Sequence, residues 1–119
     1  MKDLNTFIKQ IVNISLDKQA DNIRCYQPED QSVTDYILVM TVKNPVHGKA
    51  VLEDIRGFIM PFFQTDDEEL SPLRVSGEVH SGWVILDMNS VILHLLLEET
   101  RASYELDQKF EESGAVYHY

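Results

Sequence analysis

Gly82-Trp83-Val84-Ile85-Leu86-Asp87-Met88-Asn89-Ser90-Val91-Ile92-Leu93-His94-Leu95-Leu96-Leu97 is the stretch whose reading decides the fold of this chain. Two apolar runs, each too short for an amphipathic helix, flank Met88-Asn89-Ser90, and asparagine tolerates the positive φ that a tight reversal demands. The stretch therefore predicts a β-hairpin. On its first strand Trp83, Ile85 and Asp87 share one face; on its second Ile92, His94 and Leu96 oppose Val91, Leu93, Leu95 and Leu97. A strand apolar on both faces is buried on both, which predicts an interior place for Val91 to Leu97. From Glu98 to Leu106 the pattern turns helical, and Arg101 and Tyr104 fall on one face. Hairpin and helix together bring an aromatic, a carboxylate, a guanidinium and a phenol into one region, the makings of a recognition surface.

Working outward, Leu4, Phe7, Ile8, Ile11, Val12 and Ser15 follow helical spacing and predict an amphipathic helix ending near Ala20. Asn22 to Tyr26 is a short strand, followed by a polar, proline-marked connection from Gln27 to Ser32. Tyr36 to Val42 is a second, strongly apolar strand. Asn44-Pro45 then starts a helix, the asparagine capping free N–H groups and the proline having none to lose. Val51, Ile55, Phe58, Ile59 and Phe62 form its buried stripe, Gly48 and Gly57 are expected to pack on the sheet, and Pro61 is expected to end it. Gln64 to Glu69 reads as an acidic loop and Leu73 to Glu78 as a third strand leading into the hairpin. This order predicts an α/β (α+β) fold, a mixed sheet of about five strands covered by helices. Residues 1–110 form the expected single domain, and residues 111–119, which lack a period, an expected frayed tail.

The bulk properties exclude several classes. A chain of 119 residues is long enough for one core, and its 44% hydrophobic and 25% charged content is that of a globular protein. No apolar run approaches the roughly 20 residues of a membrane span, and the N-terminus lacks the apolar core of a secretory signal. Cys25 is the sole cysteine, which rules out an internal disulfide and fits a reducing cytoplasm. The formal charge of −10 repels phosphate backbones, so direct nucleic-acid binding is not expected, while approach to a basic protein is accelerated. The same charge also serves solubility.

Each chemistry-bearing residue has a structural alternative. His94, on an apolar strand without carboxylates at metal-ligand spacing, reads as a satisfied core histidine more readily than as a base or ligand. Trp83 either fills the edge of the core or anchors a partner. Arg101 can pair with Glu98 or Glu105, clamp a backbone carbonyl or meet a partner, and Tyr104 beside it can pack its ring with the hydroxyl outward. Asp35 either organises the turn into the second strand or adds an acidic contact. His47-Gly48-Lys49 lacks both the upstream glycine and the following Ser or Thr of a phosphate loop. Asp66-Asp67 has no strand to present it to a metal, and Cys25 has no identifiable partner base. No catalytic, cofactor or metal residues are assigned.

Four blocks read in order resemble the ribosomal silencing factor family, also called Iojap-like proteins: Lys18-Gln19-Ala20-Asp21-Asn22-Ile23; Thr34-Asp35-Tyr36-Ile37-Leu38-Val39; Arg74-Val75-Ser76-Gly77 leading to Trp83-Val84-Ile85-Leu86-Asp87; and His94 with Arg101, Tyr104 and Leu106. The chain departs from the family at Val42-Lys43, where a glycine is usual, at Ser76, where glutamate is usual, and at Lys109-Phe110, where the family closes on Leu-Trp. The resemblance implies a nucleotidyltransferase-like fold without catalytic residues. It further implies binding to the large ribosomal subunit through ribosomal protein L-fourteen, steric exclusion of the small subunit, and repression of translation when nutrients are short. It also allows a homodimer. On this reading Trp83, Asp87 and Tyr104 meet the partner, Asp35 adds acidity, Arg101 organises the face, and His94 lies near it. The alternatives are a divergent nucleotidyltransferase-like enzyme, for which the Gly-Ser element and paired acidic residues are missing, and a small acidic dimerising adaptor.

Overall fold

The hairpin forms where the sequence puts it. In a computed structural model, which describes residues 4–29, 34–63, 74–112 and 114–119, Trp83–Asp87 and Val91–Leu97 pair antiparallel, with Trp83 opposite Leu96 and Asp87 opposite Ile92. Asn89 carries the reversal at φ 70°. The Met88 amide donates to the Val91 carbonyl at 2.8 Å, and the Asn89 amide donates to Asp87 Oδ1 at 2.9 Å. Asp87 thus braces the turn that ends its own strand.

The elements in chain order are α1 (Leu4–Asp17), β1 (Asp21–Pro28), β2 (Tyr36–Val42), α2 (Pro45–Phe63), β3 (Arg74–Glu78), a 3₁₀ turn (Val79–Ser81), β4 (Trp83–Asp87), β5 (Val91–Leu97), α3 (Glu98–Ser103), α4 (Leu106–Glu111) and β6 (Gly114–His118). The strands form one mixed sheet in the order β3-β4-β5-β2-β1-β6. Only β2 and β5 run parallel, and both are interior. The α+β architecture expected from the sequence is therefore present with six described strands rather than about five. The extra one comes from the tail expected to fray: Ala115 to Tyr117 pair with Gln27 to Cys25 of β1. Periodicity could not reveal it, since only Val116 of this short strand packs inward. Gly114 admits the close approach, because a Cβ there would lie 2.0 Å from the Gln27 carbonyl oxygen. β1 likewise runs through Pro28, two residues beyond the strand read from sequence. The acidic run of residues 64–69 and Leu73 lie outside the described residues.

Strand alternation divides the core into two layers. Leu38, Met40, Leu93, Leu95, Val84 and Leu86 face α1 and α2, whose Phe7, Ile11, Val51, Ile55 and Ile59 cover them. Tyr26, Val39 and Leu96 point the other way, where α4 contributes Leu106. α2 begins as expected, with Asn44 Oδ1 accepting the His47 amide at 2.8 Å. It does not stop at Pro61, however, and continues to Phe63. Phe58 and Phe62 pack against Phe7 with ring centroids 5.6 and 5.3 Å away and hold the last turn, although Phe62 is exposed and Phe63 takes its place in the core. Gly48 is buried as expected, but a Cβ on Gly57 would meet nothing within 4 Å. Gly57 instead sits four residues before Pro61, at the carbonyl a helical proline ring crowds. The helix expected over residues 98–106 is broken in two, with Glu105 at φ 50° between α3 and α4. No described helix is long and apolar enough to cross a membrane.

The left-handed backbone at Asn89 sets a test of the turn. Asn89→Ala should lower unfolding free energy by about 1 kcal/mol in denaturant melts, while Asn89→Gly should stay within about 0.5 kcal/mol of wild type.

Candidate functional site

Two side chains from opposite hairpin strands start the site. Trp83 of β4 and His94 of β5 share the face turned away from α1 and α2 and lie diagonally across the ladder, since Ile85, not Trp83, stands opposite His94. The Trp83 indole Nε1–H donates to His94 Nδ1 at 3.1 Å. A ring nitrogen that accepts cannot carry the proton, so this imidazole is neutral with hydrogen on Nε2. Burial enforces the same state, lowering the His94 pKa from 6.5 to about 4. His94 is only 9% exposed, and among the described residues no three His, Cys, Asp or Glu side chains converge as a metal would require.

Aromatic rings extend the pair on both sides. Tyr104, at the break between α3 and α4, stands 5.0 Å from Trp83, and Phe110 of α4 stands 5.4 Å from His94 and 5.4 Å from Tyr26. The resulting row, Tyr104-Trp83-His94-Phe110-Tyr26, runs from an exposed end to a sealed one: Tyr104 is 53% exposed, Trp83 and Phe110 are half-buried, and His94 and Tyr26 are buried. At the exposed end a shallow cleft of about 480 Å³ opens among Ser76, Ser81, Trp83, Ile85, Thr100 and Tyr104. A larger groove of about 560 Å³ between α2 and β3 includes Val46 and Val75 but touches none of these rings.

Arg101 does not share the surface with Tyr104. It is 4% exposed, and its expected partners Glu98 and Glu105 give way to Asp107. Nε donates to Asp107 Oδ2 at 2.7 Å and Nη2 to Oδ1 at 2.8 Å, a two-pronged fork; Nη1 donates to the Asn22 carbonyl at 2.7 Å and to Thr41 Oγ1 at 2.9 Å. One side chain of α3 thereby ties α4, β1 and β2 together. The kink at Glu105 is what turns Asp107 back toward it. Tyr26 also donates its hydroxyl to Asp107, and Arg24 approaches the same carboxylate at 3.8 Å. Burial by itself raises the Asp107 pKa, but hydrogen bonds from Arg101 and Tyr26 outweigh it and hold the carboxyl below 3.8. Burial, with the bond to Asp107 behind it, pushes the Tyr26 phenol up to about 12.

The six residues singled out from sequence thus divide. Trp83, His94 and Tyr104 meet in one cluster, whereas Arg101 is buried apart from it against Asp107, Asn22 and Thr41. Asp87 sits four residues along β4, about 13 Å away at the rise of a strand. Asp35 shares that far end, its amide donating to the Ser90 carbonyl at 3.1 Å. Phe110, Asp107 and Tyr26 escaped sequence reasoning as site components. Only Phe110, standing where the resembling family has tryptophan, gave a signal that could have found it.

The family model described as "Ribosomal silencing factor during starvation" matches residues 2–116. The chain is similar to the ribosomal silencing factor RsfS of Bacillus subtilis, at 25% identity over 93 residues covering 77% of this chain and 74% of that protein. It is also similar to the mouse protein called mitochondrial assembly of ribosomal large subunit protein 1, at 24% identity over 103 residues covering 85% of this chain and 43% of the relative. An uncharacterised Caenorhabditis elegans protein is 22% identical over 103 residues, 85% of this chain and 54% of its own length. The chain spans about half the length of these two animal relatives. Two crystal structures share the fold. One, from Chromobacterium violaceum, has a TM-score of 0.74 at 17% identity and covers 92% of this chain and 87% of its own; the other, from Bacillus halodurans, has 0.68 at 20% identity, with 88% and 94% covered.

Breaking the Arg101 fork should be costly because a partly buried carboxylate loses its two-pronged partner and the Asn22 carbonyl and Thr41 hydroxyl lose a donor. Arg101→Ala should lower unfolding free energy by about 2 to 3 kcal/mol in denaturant melts, with Arg101→Lys, which cannot form the fork, recovering only part of it. His94 sets a pH dependence of known sign. Its folded pKa, about 4, lies below the unfolded 6.5, so the unfolded chain binds more protons between these values. Stability is full above the unfolded pKa and is lost as pH falls toward the folded one. Going from about pH 7.5 to about pH 5 should remove about 2 kcal/mol, a loss that His94→Asn abolishes when melts are compared at the two pH values. Asp107 acts in a lower window: its depressed pKa stabilises the fold above 3.8 and ceases to do so as pH drops through the folded value.

Proposed function

The chain belongs to the ribosomal silencing factor family, and on that premise we propose that it binds the large ribosomal subunit through ribosomal protein L-fourteen, keeps the small subunit from joining, and so represses translation in starvation. The observation that carries this reading is the Trp83–Tyr104 pair, two large rings 5.0 Å apart at an open cleft on a chain of charge −10. An aromatic anchor on an acidic body suits a basic protein surface: the rings supply buried area and cation–π contacts, and the field speeds and orients the approach. Ribosomal RNA would be repelled by the same field. The names of the mouse and Bacillus subtilis relatives, both ribosomal, support the same direction.

The mechanism proposed is steric and involves no reaction. Trp83 and Tyr104 make the contact, Asp35 and Asp87 add negative charge at the far end of the same face, and Arg101 holds the face together from within. A protein acting this way works in the cytoplasm, where subunits meet.

Co-sedimentation with purified subunits tests the proposal. The chain should pellet with large subunits but not small ones, less so at high salt. Trp83→Ala, checked for folding, should bind at least tenfold more weakly, the loss of an anchor worth about 2 kcal/mol. Equal pelleting of wild type and variant would sink the anchor, and equal binding to both subunits would sink the function.

A further inference from the structure

We propose that His94 is a positioning residue for the docking anchor: through Nδ1 it fixes the orientation of the Trp83 indole, so that the ring stands ready for a partner before the partner arrives. This deepens the function proposed above and rests on it for its consequence, though not for its geometry. The hydrogen bond from Trp83 Nε1 to His94 Nδ1 is 3.1 Å long and joins side chains on neighbouring strands. The ring centroids lie 5.9 Å apart, tilted at 42°, so the two rings also limit each other's rotation.

A half-buried tryptophan on a sheet face has two side-chain torsions to fix and one polar atom to satisfy. Packing against Tyr104 restricts the ring but offers its N–H nothing specific, and flipping the indole about its second torsion would keep much of the apolar contact. Only an acceptor at a set position distinguishes the two orientations. His94 supplies it on a rigid interior strand, where its own ring is held by Phe110 at 5.4 Å. A leucine or phenylalanine would fill this buried site with no polar atom to satisfy, so the imidazole is costly as mere filler. An anchor that is already oriented loses less conformational freedom on binding, which appears as affinity. The neutral state of His94 keeps the acceptor available throughout the neutral pH range.

Trp83 is the only tryptophan, so one indole N–H signal in a nitrogen-correlated NMR spectrum reports the bond directly. In the ¹⁵N-labelled wild-type protein the bond should give a scalar coupling between Trp83 Nε1 and His94 Nδ1 and slow exchange of the indole proton. His94→Phe keeps a ring of similar size without an acceptor; His94→Asn places an amide oxygen near the lost Nδ1. The expected result is a shifted, fast-exchanging indole signal and about tenfold weaker binding to large subunits in His94→Phe, with His94→Asn restoring most of both. An indole signal unchanged in His94→Phe overturns the proposal, as does an absent coupling in wild type if His94→Phe fails to fold. So does wild-type binding by both variants, or an equal loss in both when His94→Asn keeps the indole protected. If wild type does not bind large subunits at all, the proposed function falls separately, and the indole signal alone decides whether His94 orients Trp83.

Discussion

The fork between Arg101 and Asp107 is the contact on which the second face of the sheet depends. The helical segment after β5 cannot lie on the strands as one straight rod; it bends at Glu105, and the bend is closed by a buried guanidinium whose further donors reach Asn22 and Thr41. Desolvating such a pair is unfavourable, and its attraction offsets that cost only because nearly every donor finds an oxygen. What the pair supplies beyond stability is position. Geometry of this strictness admits one placement of α4 relative to β1 and β2, and hence one placement of Leu106 and Phe110 against Tyr26, Val39 and His94.

The aromatic row rests on that placement and gives the proposed docking face its graded character. Its sealed end, Tyr26, is ordinary core; its open end, Tyr104, is solvent-exposed; Trp83 and Phe110 are partly buried and pack against that core. An anchor rooted in this way can be large without being loose. The acidic groups at the other end of the face serve two purposes as well, since Asp87 braces the hairpin turn with one oxygen while its charge remains part of the surface field.

What was legible in the sequence follows from the range of the interactions. The hairpin, its asparagine turn, the amphipathic α1 and the Asn44-Pro45 helix start are set by neighbours a few positions apart and are where periodicity and capping put them, although α1 stops at Asp17, three residues before the expected Ala20. Strand β6 was not legible, because its place is fixed by β1 almost ninety residues earlier and by a glycine whose lack of a side chain matters only against the Gln27 carbonyl. Arg101 shows the same limit: local spacing offered Glu98 and Glu105, yet the left-handed residue at 105 redirected the chain and Asp107 became its partner. Pro61 failed as a stop signal because three phenylalanines packed across two helices outweigh one missing hydrogen bond. Trp83 and His94 were each visible as residues of interest, but their bond, diagonal across two strands, is a property of register.

The one parallel pairing in the sheet, β2 with β5, has a kinetic consequence. Tyr36 must find Val91 across α2, β3 and β4, so this pairing closes a long loop at a larger entropic cost, whereas the β4–β5 hairpin and the β1–β2 pair can form locally. Arg101 bridges the same seam, reaching from the segment after β5 to Thr41 of β2 and Asn22 of β1. A chain whose two halves have not yet joined therefore has the Trp83–His94 pair of its local hairpin but not the placement of α4 that sets Phe110 against His94. The docking face proposed for this chain is therefore complete only once β2 and β5 have paired.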